Sequence, residues 1–358
     1  MSGLFVNWFQ RKFSNPQTVV LGMLLIFGFA TVLTLGDILN PLFIAIVFAY
    51  LLEWVATTIN NKGCPRGIAV ITVFTGFIAL LLTTVFVFIP LIWKQVSSLL
   101  NDIPAMLVKG QEKLLQLPKE YPNFITEQQI HDLIASVASD IGSLGQAVLS
   151  ASVNSLISVM ALLIYLFLVP LLVFFLMKDK QIILNWCKLW LPKDRKMADR
   201  VWAEVNIQIG NYVRGKIAEI LIVGIVTYIA FAFMGLNYAL LLSVLVGFSV
   251  LIPYIGAAVV TIPIALIGYF QWGFDTPLWT LLIAHGIIQA LDGNLLVPIL
   301  FSEAVNLHPV AIISAVLLFG GIWGFWGVFF AIPLATLVSA VMSAWQENSA
   351  EDQSISEA

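Results

Sequence analysis

The sequence predicts an all-α integral membrane protein of about eight transmembrane segments, some broken or re-entrant, with a small helical extracytoplasmic domain. Three observations carry that prediction. Apolar residues make up 60% of the chain and charged residues only 10%, with a mean hydropathy of +0.98, which excludes an ordinary soluble domain. Apolar runs of about 18 or more residues recur along it, the length that crosses a hydrocarbon core. All 17 Lys and Arg lie at or before Lys216, clustered between those runs.

Residues 1–93 are predicted to hold three spans. Arg11 and Lys12 precede a helix-start signal at Ser14-Asn15-Pro16, and a first span runs from about Val19 to Leu35. Gly36, Asp37, Asn40 and Pro41 read as a turn into a second span ending near Thr57. The loop Asn60 to Gly67 is short and basic, so it and the N terminus are expected on the cytoplasmic side. Ile68 to Trp93 returns outward as a third span. No cleavable leader is evident, and the first helix is expected to serve as the targeting signal.

Residues 94–150 change character and read as the extracytoplasmic helical domain. Thr126 to Gln129 has capping-box spacing, followed by an apolar stripe from Ile130 to Leu144. Pro104, Pro118 and Pro122 are expected to separate about three short helices. Residues 151–177 form a fourth span. Residues 178–216 carry nine basic residues against four acidic ones, the strongest positive-inside signal in the chain. Met197, Val201, Val205 and Ile209 recur there at helical spacing, predicting an amphipathic helix on the membrane face or on a partner.

Residues 217–345 form the C-terminal membrane core, followed by an acidic tail at 346–358. After a fifth span from Ile217 to Met234, regularity stops. Leu236 to Phe270 is too long for one span and short for two, and is broken at Ile252-Pro253-Tyr254-Ile255-Gly256. Pro309 to Trp345 repeats the problem, broken by Gly320, Gly321, Gly324 and Gly327. Thr261 to Ala265 and Ala331 to Ala335 share a short likeness that chance explains as well as a repeat does. Trp323 and Trp326 read as interfacial anchors.

Between the two broken segments lies a polar helix. His285, Gln289 and Asp292 fall at i, i+4 and i+7 of one face. A carboxylate at mid-membrane depth costs roughly 2.5–3.5 kcal/mol on insertion scales, so this face should meet protein or water. Gly293-Asn294 and Pro298 interrupt the helix and free backbone carbonyls for a cation or a hydroxylated ligand. These residues are the candidate substrate or ion path: His285, Gln289, Asp292 and Asn294, with Glu219 on the cytoplasmic side. Backbone at Pro253, Gly256, Pro298, Gly320, Gly321 and Gly324 would complete it. Interhelical hydrogen bonding is the plain alternative for the same side chains.

Gly210 to Lys216 fits the first part of a phosphate loop, but Ile217 stands where Ser or Thr is needed and no strand precedes it. Read as helix, Gln208, Asn211, Tyr212 and Lys216 form a stripe entering the membrane. It is either an interfacial face with a Lys216–Glu219 pair or a cytoplasmic gate. His308 before Pro309 reads as a capping histidine. Cys64 and Cys187 lack CxxC partners, so neither a disulfide framework nor a metal site is expected. No cofactor is expected, and no basic groove suits nucleic acid. HExxH and GxSG motifs are missing, which argues against an intramembrane enzyme.

Several stretches resemble the autoinducer-2 exporter family of bacterial membrane proteins, closest to its permease group. They are Phe174 to Asp179, Gln208 with Asn211-Tyr212 and Gly215-Lys216, and Ile252 to Gly256. Gln289 to Asn294, Pro298, Asn306 to Pro309, and Gly320 to Gly327 with Ala331 to Pro333 complete the likeness. The resemblance implies an inner-membrane homo-oligomer that exports a signalling molecule or exchanges sodium or lithium for protons. The expected partners are therefore the lipid bilayer and a small polar solute, or a monovalent cation and a proton. A non-transporting membrane scaffold remains the alternative from another class.

Overall fold

The computed structural model describes residues 16–114, 155–189, 196–253, 255–301 and 308–339, with isolated positions between 128 and 136. Every regular element among the described residues is helical. Six helices there are long and apolar enough to cross a membrane, or seven with one bent pair, where the sequence predicts about eight.

The difference begins at the N-terminal end. Helix α1 runs unbroken from Pro16 to Asn61 with Pro41 inside it, so the turn expected at Gly36 to Pro41 does not form. A turn in an apolar setting would leave several backbone groups unbonded, whereas Pro41 removes a single hydrogen bond. At 46 residues this helix is about 69 Å long against a core of about 30 Å. Helix α2 (Arg66–Thr83) continues through a π-helical turn at Thr84–Phe88 into α3 (Ile89–Leu114). Pro104 lies inside α3 instead of dividing it. Pro118 and Pro122, and the apolar stripe after Gln129, lie outside the described residues.

Helix α4 (Ser155–Lys178) returns, and α5 (Lys180–Leu189) leaves it at 80°. Here Glu53 near the end of α1 accepts from Arg66 at 3.1 Å and Lys180 at 3.1 Å, while Arg66 also donates to the Met177 carbonyl. This cluster ties the ends of α1, α2 and α4 together. Helix α6 spans Lys196–Phe233 without interruption. The amphipathic stretch around Met197 to Ile209 is thus an extension of the fifth span, not a separate surface helix.

Two helical hairpins follow. Helix α7 (Ala239–Ser249) is about 16 Å long, too short to cross, and α8 (Ile255–Trp272) runs back beside it. Both open ends meet at one level. Gln271 donates to the Gly235 carbonyl and accepts from the Asn237 amide, each at 2.8 Å. Tyr238 hydrogen-bonds Asp102, and Gln95 accepts the Leu241 amide, so this hairpin opens beside Asp102 in the middle of α3. Burial first, then the Asp102 hydrogen bond and charge, pushes the Tyr238 hydroxyl up to about 12. Its tip is the break predicted at Ile252 to Gly256. Gly256 sits so close to the Ser249 carbonyl that a side chain has no room.

Helix α9 (Thr276–Leu291) passes through a π-helical turn at Asp292–Leu296 into α10 (Val297–Phe301). The interruption predicted there is therefore a widened helical turn and not an open break. The last hairpin begins with α11 (Pro309–Phe329), whose chain reverses at Gly324 (φ 57°, ψ −132°), a conformation reserved for glycine. Gly327 abuts the Phe319 carbonyl and Ala331 packs on Ala315 and Val316, so residues 331–339 fold back along α11. Trp323 beside the reversal packs edge-on against Phe43 of α1 at 5.1 Å and touches Gly36.

Because Trp323 lies far along α1 from Asn61, the second hairpin opens at the Asn61 end and the first at the opposite one. They meet where Ile252 packs against Ala315, Val316 and Ala331. The short likeness noted in the sequence, Thr261 to Ala265 and Ala331 to Ala335, falls on the returning limb of each.

Close backbone contact at the tip gives a direct test. Gly256→Ala should destabilise the detergent-solubilised protein by at least about 2 kcal/mol. Gly286→Ala, on a helix face with nothing nearby, should shift the thermal midpoint little or upward.

Candidate functional site

Lys216 is the organising side chain of the interior. It lies near the middle of α6 with 5% of its side chain exposed, and its Nζ is 2.7 Å from Glu219 Oε2 one turn on. The same ammonium donates to the Val250 carbonyl at 3.0 Å and sits 5.2 Å over the Phe301 ring. Val250 ends the half-length helix α7, where unbonded carbonyls and the negative end of the helix dipole favour a cation. One buried ammonium thus joins α6, the first hairpin tip and α10.

A cavity of about 480 Å³ opens beside this pair, within the range that small-molecule sites occupy. Asp292, Gln289 and Tyr212 line it with Lys216 and Glu219. Asp292 is buried at the first position of the π-turn, and the charges of Lys216, Glu219 and Asp292 act on one another. Asp292 Oδ1 and Gln289 Nε2 are buried without a hydrogen-bond partner. Buried polar atoms are satisfied in folded proteins with few exceptions, and the exceptions point to ligand or solvent. Pro298 also lines the cavity, and its missing N–H leaves a carbonyl of the π-turn without that donor.

The predicted residues divide among several places. Pro253 lines the cavity at the hairpin tip, and Gly256 permits the tip to close. His285 is buried one level away, its Nε2 3.1 Å from Thr261 Oγ1 of α8 and its ring near Phe231. It shares the face of Gln289 and Asp292 but does not line the cavity. Asn294 is exposed and donates to the Ala290 carbonyl of its own helix. Of the stripe entering the membrane, Tyr212 and Lys216 reach the cavity, Asn211 accepts from Arg214 at 2.8 Å, and Gln208 lies half-buried a turn earlier. Gly320, Gly321 and Gly324 belong to the second hairpin, where Gly320 meets Val328.

The glycines of the phosphate-loop-like stretch pack helices. A side chain at Gly210 would collide with Tyr50 of α1, and one at Gly215 with Phe301 and the Leu300 carbonyl. His308 caps α11, its Nδ1 accepting from the Val310 amide, as the sequence predicts. Three contributors were not singled out from sequence: the Val250 carbonyl, the Phe301 ring and Thr261. The break after Ser249 signals the first, since a helix ending within the membrane leaves carbonyls to be satisfied. Phe301 and Thr261 sit among many equivalent apolar-helix residues and carry no local signal.

Crossing helices, two opposed hairpins and a partly open cavity of solute size that holds three charged side chains fit a multi-pass membrane permease. A family model described as AI-2E family transporter matches residues 21–347. The chain therefore belongs to the AI-2E family of transporters. It is 48% identical over 347 residues to "Putative permease PerM" of Escherichia coli K12, covering 97% of this chain and 98% of that protein. It is 25% identical over 311 residues to "Putative transport protein YrrI" of Bacillus subtilis 168, covering 87% of each. "Putative transport protein YueF" of the same organism is 26% identical over 310 residues, with 84% and 82% covered.

Removing one member of a buried pair strands its partner, at about 3–5 kcal/mol. Lys216→Gln, which leaves two carboxylates facing each other, should lower the thermal midpoint most. Glu219→Gln should lower it less, because Asp292 remains to receive the ammonium.

Proposed function

We propose that the protein is a secondary transporter that carries a small polar solute through the cavity between α6, the first hairpin tip and the α9–α10 turn. The observation that carries this reading is the buried, unpartnered Asp292 carboxylate beside the Lys216–Glu219 pair. A scaffold would gain nothing from such a group, since burying an unsatisfied carboxylate in a membrane helix is costly. A transporter needs a carboxylate that can exchange partners.

Asp292 is the binding or proton-accepting carboxylate, Gln289 presents a donor to the solute, and Tyr212 and Phe301 supply flat apolar walls. His285 with Thr261 forms a second polar level on the same helix face, one that a proton path could use. The family resemblance makes a hydroxylated signalling molecule such as autoinducer-2 the solute to test first. Sodium or lithium exchange for protons is the second reading, favoured by two carboxylates sharing one ammonium.

On the charge rule, the Asn60 to Gly67 turn and the basic stretch that precedes the span beginning at Asn206 lie on the cytoplasmic side of a bacterial inner membrane. A homo-oligomer is proposed on the family resemblance alone.

Proteoliposome flux tests the reading. Asp292→Asn should fold normally and reduce coupled flux at least tenfold under imposed proton, sodium or lithium gradients and with labelled polar solutes. Asn294→Ala, outside the cavity, should retain flux. Undiminished flux in a well-reconstituted Asp292→Asn protein would sink the assignment.

A further inference from the structure

Three charged side chains line the cavity among the described residues: Lys216 and Glu219 from α6 and Asp292 from the π-turn. The other polar groups facing them are Tyr212 of α6, Gln289 of α9 and the Val250 carbonyl at the hairpin tip. With both carboxylates ionised the site carries one net negative charge, in surroundings where an uncompensated charge is unfavourable.

The contacts of Lys216 are those of a bound cation. Its ammonium has a carboxylate oxygen at 2.7 Å, a carbonyl oxygen at the end of a half-helix at 3.0 Å and an aromatic face at 5.2 Å. Hard monovalent ions take the same kinds of oxygen and ring partner. Asp292, 9% exposed and with Oδ1 unpartnered, is the carboxylate this ammonium leaves uncompensated.

We infer that Lys216 is a tethered cation that neutralises one of the two carboxylates, so that the cavity takes up one further positive charge, a proton or a hard monovalent ion, at Asp292. The inference rests on the transport reading and adds a count to it. That count follows net charge and not the presence of Asp292 alone. Glu219→Gln leaves one carboxylate for one ammonium, so it should take up no ion although Asp292 is intact. Adding Lys216→Gln to that variant restores the wild-type net charge and should restore one ion. Lys216→Gln alone should take up two.

The test uses full-length protein in detergent, titrated with sodium chloride and lithium chloride by calorimetry while a pH indicator reads displaced protons. Expected are one ion per wild-type chain, at least tenfold weaker uptake by Glu219→Gln, and one ion again in the double variant. One ion in the wild type and an unweakened one in Glu219→Gln overturns the tethered-cation inference while leaving the transport reading standing. Should Glu219→Gln fail to fold, Lys216→Gln decides, and a single ion there overturns it equally. A wild type that takes up neither ion nor proton overturns the inference and cation coupling together, while solute flux in Asp292→Asn still judges transport.

Discussion

The interior of this protein is arranged around one buried ammonium. Taking a Lys side chain out of water inside a membrane costs several kcal/mol unless charge and hydrogen bonds replace the lost hydration. Lys216 recovers that from Glu219 on its own helix and from a carbonyl at the end of α7. The second contact requires a helix to stop at that depth. A helix ending there must turn back, because its open carbonyls tolerate protein or water but not lipid. The hairpin tip, the close fit at Gly256 and the position of Phe301 over the ammonium all follow from that requirement.

The two hairpins solve the same problem from opposite ends. Each reverses at glycine-containing backbone, at Gly256 against Ser249 and at Gly324 with Gly327 against Phe319. The tip of the first is half-buried against its neighbours, whereas Gly324 at the tip of the second is exposed. Because one opens at the Asn61 end and the other at the Asp102 end, their limbs overlap in the middle of the molecule, at Ile252 with Ala315 and Ala331. The cavity lies beside that overlap, where polar groups from α6, α9 and the π-turn line it with the first hairpin tip.

Much of this was legible in the sequence, and what was not has physical reasons. The helical membrane class, the break at Ile252 to Gly256 and the glycine reversal near Gly324 were legible because proline, glycine and apolar length act locally. The Lys216–Glu219 pair was legible as helical spacing. The unbroken α1 was not, since Pro41 inside an apolar helix looks the same whether the chain bends or continues. Hairpin direction was not either, because it depends on Gln271 reaching Gly235 and Asn237, a tertiary contact without periodicity. Asn294 was drawn into the site by its place in the Gly293-Asn294 interruption, but two residues beyond Asp292 it points to the opposite side of a helix, where it binds its own helix.

That widened turn has a consequence for how the chain tolerates change in length. A π-helical turn is an α-helix holding one extra residue, so the five residues from Asp292 to Leu296 store a single inserted position. Losing one of them after Asp292 would let the helix anneal into regular α geometry, and since five residues of a π-turn advance the chain by about the angle of four in an α-helix, everything beyond would keep its orientation. Phe301 would stay over the ammonium and Pro298 on the cavity wall. A one-codon deletion inside this turn is therefore the change of length the chamber absorbs best, whereas the same deletion in the regular turns before it would rotate Phe301 away from Lys216.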